Sequence, residues 1–425
     1  MGRRLIFHMD VNSAFLSWEA SYRMNHLGAA VDLREIPAAI GGDAGLRHGI
    51  ILAKSIPAKK YGIQTGESIA EAKQKYPGLY LAPPNYSLYE RCSNAFVKLA
   101  SEYTPEIEKY SIDEIYMDMT EMQSLYRSPE KTAREIADRI REELGFTVNI
   151  GISENKLLAK MASDFQKPDR VHTLYIEEIP DKMWPLPVSE LFFVGRATAK
   201  KLRNLGIHTI GELAETDPQL LRKHLKKQGE VIWAFANGID CSEVQSVPIP
   251  NKGYGNSTTI AFDVADRETA RMVLLALAET VGARLRKDGA RISVVSVGVK
   301  DFRFYYCSHQ MQLFNATNIT NEIYHAACCL FDEIWDGTPI RHLGIHTSKV
   351  SRDAETCRQL NLFDGTDYCK WEEMDSTIDH IRAFHGNDAV KRAVFGAVEN
   401  QKIDHMSGGI SRERRSVDYS RLNID

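Results

Sequence analysis

An acidic pair inside an apolar stretch is the feature that most constrains this chain. The stretch YSIDEIYMD, residues 110–118, has the alternation of a β-strand around Asp113 and Glu114. Alternation places Asp113 on the face of Ile115 and Met117, where an unpaired carboxylate would cost several kcal/mol or take up a proton. A divalent cation would keep it ionised, whereas an exposed edge strand would need no partner. The stretch alone leaves both interpretations open.

A second carboxylate stands at the end of the opening run RRLIFHMDV. Alternation puts Asp10 on one face of a predicted strand, and the chain then enters NSAFLSWEASYR, a predicted helix capped by Asn12 or Ser13. Backbone N–H groups at such a helix start can receive phosphate oxygens, and the Val11 carbonyl could help Asp10 to hold a cation. Two acidic strand elements beside a phosphate-binding turn suit phosphoryl transfer assisted by two metal ions.

Three separated motifs resemble one family. MDVNSAFLSWE, SIDEIYMD and NIGISENKLLAKMASDFQKPD are similar to segments of the Y-family translesion DNA polymerases, especially the bacterial polymerase IV and polymerase V catalytic subunits. The resemblance covers residues 1 to about 350 and implies that Asp10, Asp113 and Glu114 are catalytic carboxylates. With the Val11 carbonyl they would bind two Mg²⁺ ions. Adjacent strand residues point to opposite faces, so both neighbouring acids can reach the metals only if the strand bends or ends there.

The resemblance also implies nucleotide-binding residues. Lys59 matches a triphosphate contact that is usually Arg, and Lys167 matches a triphosphate-binding lysine. Phe15 matches an aromatic steric gate, which discriminates by clashing with a 2′-hydroxyl. Judged without the family, Lys59 would belong to a solvated helix face and Phe15 to the core. Ile56 replaces the family's usual Tyr, so part of the phosphate clamp lacks its hydroxyl.

The predicted order of elements indicates an α+β chain arranged as a polymerase right hand. Strand, helix, hairpin, helix and strand fit a split β-α-β, ferredoxin-like palm at 1–188, with small fingers inserted at about 20–80. After a Pro/Gly/Ser-rich linker at 241–254, a β-α-β-β-α-β pattern over 255–350 resembles a separate little-finger domain. A tail at 351–425 completes the predicted division.

A different, helical sequence pattern begins after the prolines of PLPVSELFF. Residues 189–240 resemble a helical helix-hairpin-helix thumb, in which turn amides and cations grip a DNA backbone. The residues expected to make these contacts are a glycine and three cations: Gly195, Arg196, Lys200 and Lys201. The first glycine of the usual hairpin is Phe193 here, and a plain helical bundle is the alternative interpretation.

A short peptide motif follows the last predicted strand. In RQLNLFDG, a polar anchor precedes spaced aliphatic and aromatic residues, a pattern that suits an extended segment bound in a groove. QLNLF closely resembles the bacterial sliding-clamp-binding motif, with Gln359, Leu360, Leu362 and Phe363 as its contacts. Alternatively, the apolar residues pack the tail onto the preceding sheet.

Composition narrows the class of protein further. The chain has 425 residues, 43% hydrophobic and 26% charged, which allows several cores. Its net charge of −4 provides no global field for nucleic acid, so DNA contacts must come from local basic patches. Seven cysteines without a CxxC pair suggest neither a zinc site nor a disulfide framework, and they fit a reducing cytoplasm. No run is apolar enough for a signal peptide or a membrane span, so we expect no membrane partner.

Together these patterns predict a template-directed DNA polymerase that adds deoxynucleotides to a primer 3′ end, with translesion synthesis in DNA repair as its role. Its expected partners are primer-template DNA, deoxynucleoside triphosphates and a sliding clamp, and we expect a monomer. A nucleotidyl cyclase sharing the palm, or a catalytically silent, clamp-tethered DNA-binding protein, are the alternatives. Lesion specificity, fidelity, subtype and the role of the tail after Asp364 are not encoded in any pattern recognised above.

Overall fold

The computed structural model describes residues 3–42, 49–126, 128–352, 358–359, 365–396, 403–406 and 408. Within them, the strands of three sheets are β1 (Ile6–Val11), β2 (Ala38–Gly41), β3 (Ile51–Lys54), β4 (Tyr80–Ala82), β5 (Ile107–Lys109), β6 (Glu114–Asp118), β7 (Val148–Ser153), β8 (Val171–Thr173), β9 (Gly255–Val264), β10 (Arg291–Asp301), β11 (Tyr306–Thr317) and β12 (Ile340–Ser351). The α-helices are α1 (Ala14–His26), α2 (Ile56–Lys60), α3 (Ile69–Lys75), α4 (Tyr86–Ala100), α5 (Pro129–Arg139), α6 (Lys156–Asp164), α7 (Ile179–Lys182), α8 (Arg196–Asn204), α9 (Ile210–Glu215), α10 (Pro218–Leu225), α11 (Lys227–Ala236), α12 (Arg267–Lys287), α13 (Thr320–Ile334) and α14 (Tyr368–His385).

The first sheet is built on β1, all of whose residues are buried. Its strand order is β5-β6-β1-β7-β8, and β1 runs antiparallel to both β6 and β7. Alternate residues of β1 face two helical layers: Phe7 and Met9 pack with α1, α4 and α5, whereas Ile6 packs against Ala159 of α6. A Cβ on Gly151 would lie 1.9 Å from the Ala159 carbonyl oxygen, so glycine is needed for the close approach of α6 to β7.

A smaller sheet lies across α1 from the first one. Its order is β3-β2-β4, with β2 antiparallel to β3 and parallel to β4. Leu16 and Ala20 of α1 pack into this sheet's core, while Ala14 and Trp18 of the same helix pack into the core of the first sheet. Because α1 follows β1 directly, the junction between them lies between the two sheets.

A helical region follows the first sheet in the chain. Helices α7 to α11 share an apolar core to which α6 contributes Leu157, Leu158 and Met161. A Cβ on Gly229 would lie 2.5 Å from the Leu221 carbonyl oxygen, so glycine lets α11 pack closely on α10. The helical character predicted for this part of the chain is confirmed.

The second large sheet carries the predicted β-α-β-β-α-β order as β9, α12, β10, β11, α13 and β12. Its strands lie in the order β11-β10-β12-β9, and α12 and α13 cover one face with a shared apolar core. Each predicted element of this unit is present in the structure. Alternating apolar residues and the Pro/Gly linker before β9 were sufficient to define this unit.

Helix α14 of the tail docks against this second unit through charged residues, while Phe395 and Ile403, further along the tail, join the unit's apolar core. Arg286 of α12 lies 3.0 Å from Asp375 of α14, and Arg382 of α14 lies 2.6 Å from Glu279 of α12. Phe384, which shares helical spacing with other apolar residues of the tail, has 73% of its surface exposed. Ion pairing therefore decides how α14 docks.

Among the described residues, no helix combines the length and the low polarity that crossing a membrane requires.

Candidate active site

The junction between β1 and α1 opens into a cavity of about 550 Å³ between the two neighbouring sheets. Six of the predicted site residues line it: Asp10, Val11, Phe15, Lys59, Asp113 and Lys167. They come from four separate segments of the chain. The fold thus brings together six of the seven residues predicted to bind metal or nucleotide, and Glu114 is the exception.

Asp10 is 8% exposed at the end of β1, with a close ion pair to Lys167. Burial raises the pKa of Asp10 to about 6, and the charge and hydrogen bond of Lys167 oppose that rise. Burial likewise disfavours the ammonium of Lys167, but the charges of Asp10 and Asp164 outweigh it and raise the Lys167 pKa. The carboxylate of Asp10 is held in its charged form by a lysine in this conformation.

Asp113 lies in the turn that precedes β6, not on the strand as its sequence alternation predicts. Its carbonyl oxygen accepts a hydrogen bond from the Val11 N–H at 3.0 Å, and its carboxylate accepts one from the Ser111 hydroxyl at 2.7 Å. The side chain therefore leaves the apolar face of Ile115 and enters the cavity. Strand β6 begins at Glu114, so of the two neighbouring acids only Glu114 is part of the strand.

Glu114, the first residue of β6, is opposite Asp10 in the strand register but does not line the cavity. Its carboxylate accepts a hydrogen bond from Lys160 at 2.9 Å and lies 3.6 Å from Nε2 of His8. Burial would raise its pKa, but the contacts with His8 and Lys160 outweigh burial and lower the pKa to about 2. Lys160 of α6 is only 8% exposed, because Glu114 supplies a charge partner.

The donor atoms fit a magnesium site. Asp10 and Asp113 direct carboxylates into the cavity and Val11 lines it too, and Mg²⁺ is usually held by one or two carboxylates together with substrate phosphates. Within the described part of the chain, no three His, Cys, Asp or Glu side chains are grouped closely enough to hold a metal. Lys167 and Lys160 pair with Asp10 and Glu114 in this arrangement. Of the three predicted carboxylates, Glu114 is the one that does not line the cavity.

A positively charged wall faces these carboxylates. Lys54 and Arg34 line the cavity beside Lys59. Burial, and then the neighbouring charge of Lys59, lower the pKa of Lys54. Sequence inspection did not select Arg34, which stands outside any motif and is brought to the cavity by the chain between α1 and β2.

Phe15 packs in the aromatic core and also borders the cavity. Its ring stacks on Tyr89 with centroids 4.6 Å apart and planes at 8°, so it belongs to the aromatic core under α1. The ring is only half-buried and lines the cavity beside Asp10. A packed ring that also borders the cavity is fixed in position, as a steric gate requires. Ile56, with 51% of its surface exposed, lies on the opposite side of the same cavity.

The predicted DNA-gripping residues lie at the start of α8, far along the chain from the cavity. Gly195 is the N-cap of this helix, and nothing lies within 4 Å of the position that a Cβ would take there. The cations Arg196, Lys200 and Lys201 are all exposed. In the part of the chain that the structure describes, none of the three forms an ion pair, which leaves their charges available to an anionic ligand.

The peptide motif predicted to bind a sliding clamp is described only at its first residue. Gln359 exchanges two backbone hydrogen bonds with the side chain of Asn315, each 3.0 Å long. Leu360, Leu362 and Phe363 lie outside the described residues. Clamp binding therefore stays a prediction from the sequence.

Comparison with known proteins covers most of the chain. The impB/mucB/samB family matches residues 9–164, the C-terminal domain of that family matches residues 251–362, and the IMS family HHH motif matches residues 177–207. Proteins named DNA polymerase IV are 45% identical over 394 residues in Clostridium acetobutylicum and 35% identical over 400 residues in Bacillus subtilis. These alignments cover 92% and 94% of this chain, and 98% and 95% of the respective relatives.

A solved structure agrees with these matches. The fold is similar to that of a Y-family DNA polymerase chimera built from Dbh and Dpo4, with a TM-score of 0.71 and 21% sequence identity. The similarity covers 82% of this chain and 100% of the chimera. With a β-α-β palm, a helix-hairpin-helix thumb and a separate little finger, the chain belongs to the Y family of DNA polymerases. It is a template-directed DNA polymerase of the translesion type, related to the bacterial enzymes named DNA polymerase IV.

Proposed function

We propose that this polymerase extends a primer in the cavity at the β1–α1 junction. The primer 3′-hydroxyl attacks the α-phosphate of an incoming deoxynucleoside triphosphate, and pyrophosphate leaves. One observation carries the proposal: carboxylates, an aromatic ring and lysines from four separate segments line the same 550 Å³ cavity. Carboxylates suited to hold a divalent cation thus lie in the same cavity as lysines suited to hold a triphosphate, as this reaction needs.

Asp10, Asp113 and Glu114, with the Val11 carbonyl, are the proposed ligands of two Mg²⁺ ions. Magnesium, when bound, supplies positive charge at the attacking and leaving oxygens. In this arrangement Lys167 and Lys160 take the place of cations at Asp10 and Glu114. Metal binding therefore requires each lysine to give up its contact.

The positively charged wall is the proposed triphosphate site. Lys59 and Lys167 are the residues that similarity to the family selects, and Lys54 and Arg34 line the same wall. A triphosphate would offer Lys167 an anionic partner when it leaves Asp10. Lys59 binds as a point charge rather than as a bidentate fork, so this side of the site relies on charge more than on geometry.

The wider organisation follows the family. We propose a palm at 1–188 with fingers at about 20–80, a thumb at 189–240, a linker at 241–254, a little finger at 255–350 and a tail at 351–425. Gly195, Arg196, Lys200 and Lys201 would hold the DNA backbone, and the motif at 359–363 would bind a sliding clamp. We further propose that the enzyme acts as a monomer in the cytoplasm, with primer-template DNA and deoxynucleoside triphosphates as substrates.

Primer extension with purified protein, Mg²⁺ and both intact and lesion-bearing templates tests this proposal. We expect Asp10→Asn and Asp113→Asn to reduce incorporation by roughly 10³-fold, because each replaces a carboxylate proposed to hold the metal ions that stabilise the reacting phosphate. DNA affinity should stay close to that of the parent, since neither substitution removes a cation that holds the backbone.

Glu121→Gln, which neutralises an exposed acid just after β6, is the matched control and should extend primers normally. Extension at parental rates by Asp10→Asn or Asp113→Asn would show that the reaction occurs elsewhere. Production of cyclic nucleotide, or DNA binding without any extension by the parent, would favour the cyclase or the silent binding protein.

A further inference from the structure

One exposed aromatic residue in the thumb has an unfavourable backbone conformation. Phe193, in the turn that precedes α8, has φ of 73°, in the left-handed region that glycine tolerates and residues with a Cβ avoid. Its side chain is 54% exposed. The family's helix-hairpin-helix turn usually has glycine here, so an aromatic residue is retained at a position where its backbone is strained.

The surrounding fold imposes this conformation. Val194, the next residue, is buried in the thumb core and donates a backbone hydrogen bond to the Leu191 carbonyl at 3.0 Å. The Phe193 carbonyl accepts a hydrogen bond from the Gln228 side chain at 3.1 Å. Glycine could adopt the same turn without strain, so the turn alone does not explain the ring. Strained residues of this kind are concentrated at binding sites.

Packing explains only part of the ring's position. Its edge meets Phe192 at a centroid distance of 5.0 Å and Phe235 at 5.8 Å, with interplanar angles of 63° and 79°. More than half of the side chain nevertheless faces solvent, in the turn that leads into Gly195, the open N-cap of α8, and the exposed Arg196. The ring therefore belongs to the same turn and helix start as the cations that the proposed function assigns to the DNA backbone.

We propose that the Phe193 ring is itself a DNA contact, packing on the deoxyribose beside a phosphate held at the start of α8. A DNA backbone alternates charged phosphates with apolar sugar faces, so a cation surface with an aromatic ring inside it matches both groups. The inference deepens the proposed thumb function and rests on it. It assigns to this thumb an apolar, salt-independent part of DNA affinity in addition to the ionic part.

The test measures primer-template affinity and thermal stability for Phe193→Gly, over about 50 to 200 mM salt. Removing the ring should weaken binding roughly tenfold at every salt concentration, by analogy with other aromatic contacts to nucleic acid. The slope of log Kd against log salt should not change, because no cation is lost. The melting temperature should stay level or rise, since glycine relieves the strain.

Three further variants make the result decisive. Phe193→Asn, which also tolerates a left-handed backbone and lacks the ring, should match Phe193→Gly in affinity even if glycine loosens the turn. Lys200→Ala should lower the salt slope by about 1. Phe384→Ala, which removes a ring that is 73% exposed in the tail, should bind DNA as the parent does.

Several outcomes would overturn the inference. Unchanged or tighter binding by Phe193→Gly would mean that the ring contacts no DNA and that glycine lets the backbone approach more closely. If Phe193→Gly lowered the slope of log Kd against log salt as much as Lys200→Ala does, the ring would only position the cations. A parent that fails to bind primer-template DNA would instead overturn the proposed function itself, together with this inference.

Discussion

Phe15 packs in the aromatic core and, as we propose, also selects the sugar of the incoming nucleotide. Stacking on Tyr89 fixes the ring, and its free edge borders the cavity beside Asp10. A ring that could rotate away would make a poor barrier, because a 2′-hydroxyl adds only one small group to the sugar. Selectivity by a clash therefore depends on the aromatic core behind the gate.

We predict that Phe15→Ala admits ribonucleotides, because truncation opens the volume that a 2′-hydroxyl needs. The ratio of kcat/KM for deoxynucleotide to ribonucleotide should fall by at least about 10²-fold. Single-nucleotide incorporation with each substrate measures the ratio. Tyr86→Ala, which removes a neighbouring ring that does not line the cavity, is the control and should keep the parental ratio. If Phe15→Ala discriminates as well as the parent does, Phe15 is a core residue only.

At the scale of single elements, α14 illustrates docking by buried charge. Glu279 of α12 is 3% exposed and forms ion pairs with both Arg382 of α14 and Arg392 beyond it. Burial would raise the pKa of Glu279, but the charges of Arg392 and Arg382 outweigh burial and lower it. The stabilisation is therefore present above the ordinary Glu pKa and is lost as pH falls through the lowered value.

We predict that Glu279→Ala lowers the stability of the unit at 255–350 and releases α14 from it, because two arginines lose their buried partner. The unfolding free energy of this unit should fall by about 3 to 5 kcal/mol. Differential scanning calorimetry of the full chain, with limited proteolysis at α14, measures both effects. Glu268→Ala, an exposed position on the same helix, should change stability by less than about 1 kcal/mol. Resistance of α14 to proteolysis in Glu279→Ala would contradict docking by these ion pairs.

At the scale of the whole molecule, the net charge of −4 gives the enzyme little general attraction for DNA. We propose that DNA contacts come from local groups such as the exposed cations of α8. An enzyme with little general attraction for DNA would bind it more effectively if it were tethered to the DNA. A clamp bound through the motif at 359–363 would raise the local DNA concentration without any new contact in the active site, a gain of roughly 10² to 10⁴.

Replacing Leu362 and Phe363 together by Ala should remove stimulation by a sliding clamp on long primed templates. Single-nucleotide insertion on short primers should keep the parental rate, since the active site is untouched. Asn361→Ala, inside the same motif but not among its predicted contacts, should respond to the clamp normally. Equal stimulation of the double variant and the parent would exclude the motif as the docking segment.

The sequence by itself predicted the order of elements, the unit at 255–350 and six of the residues that line the cavity. Periodicity sets which residues of a strand or helix are buried, and short motifs carry the residue types that the chemistry needs. Asp10, Phe15 and Lys59 could be selected in this way because each stands in or near a motif.

Only the tertiary structure decided how these residues meet. Strand alternation placed Asp113 on an apolar face, but β6 begins only at Glu114, and Asp113 in the turn before it lines the cavity. Lys160 is buried because Glu114, distant in sequence, offers it a charge, and the docking of α14 depends on ion pairs between separate helices. Local pattern does not encode such contacts, because the partner of a buried charge is set by the packing of segments far apart in the chain.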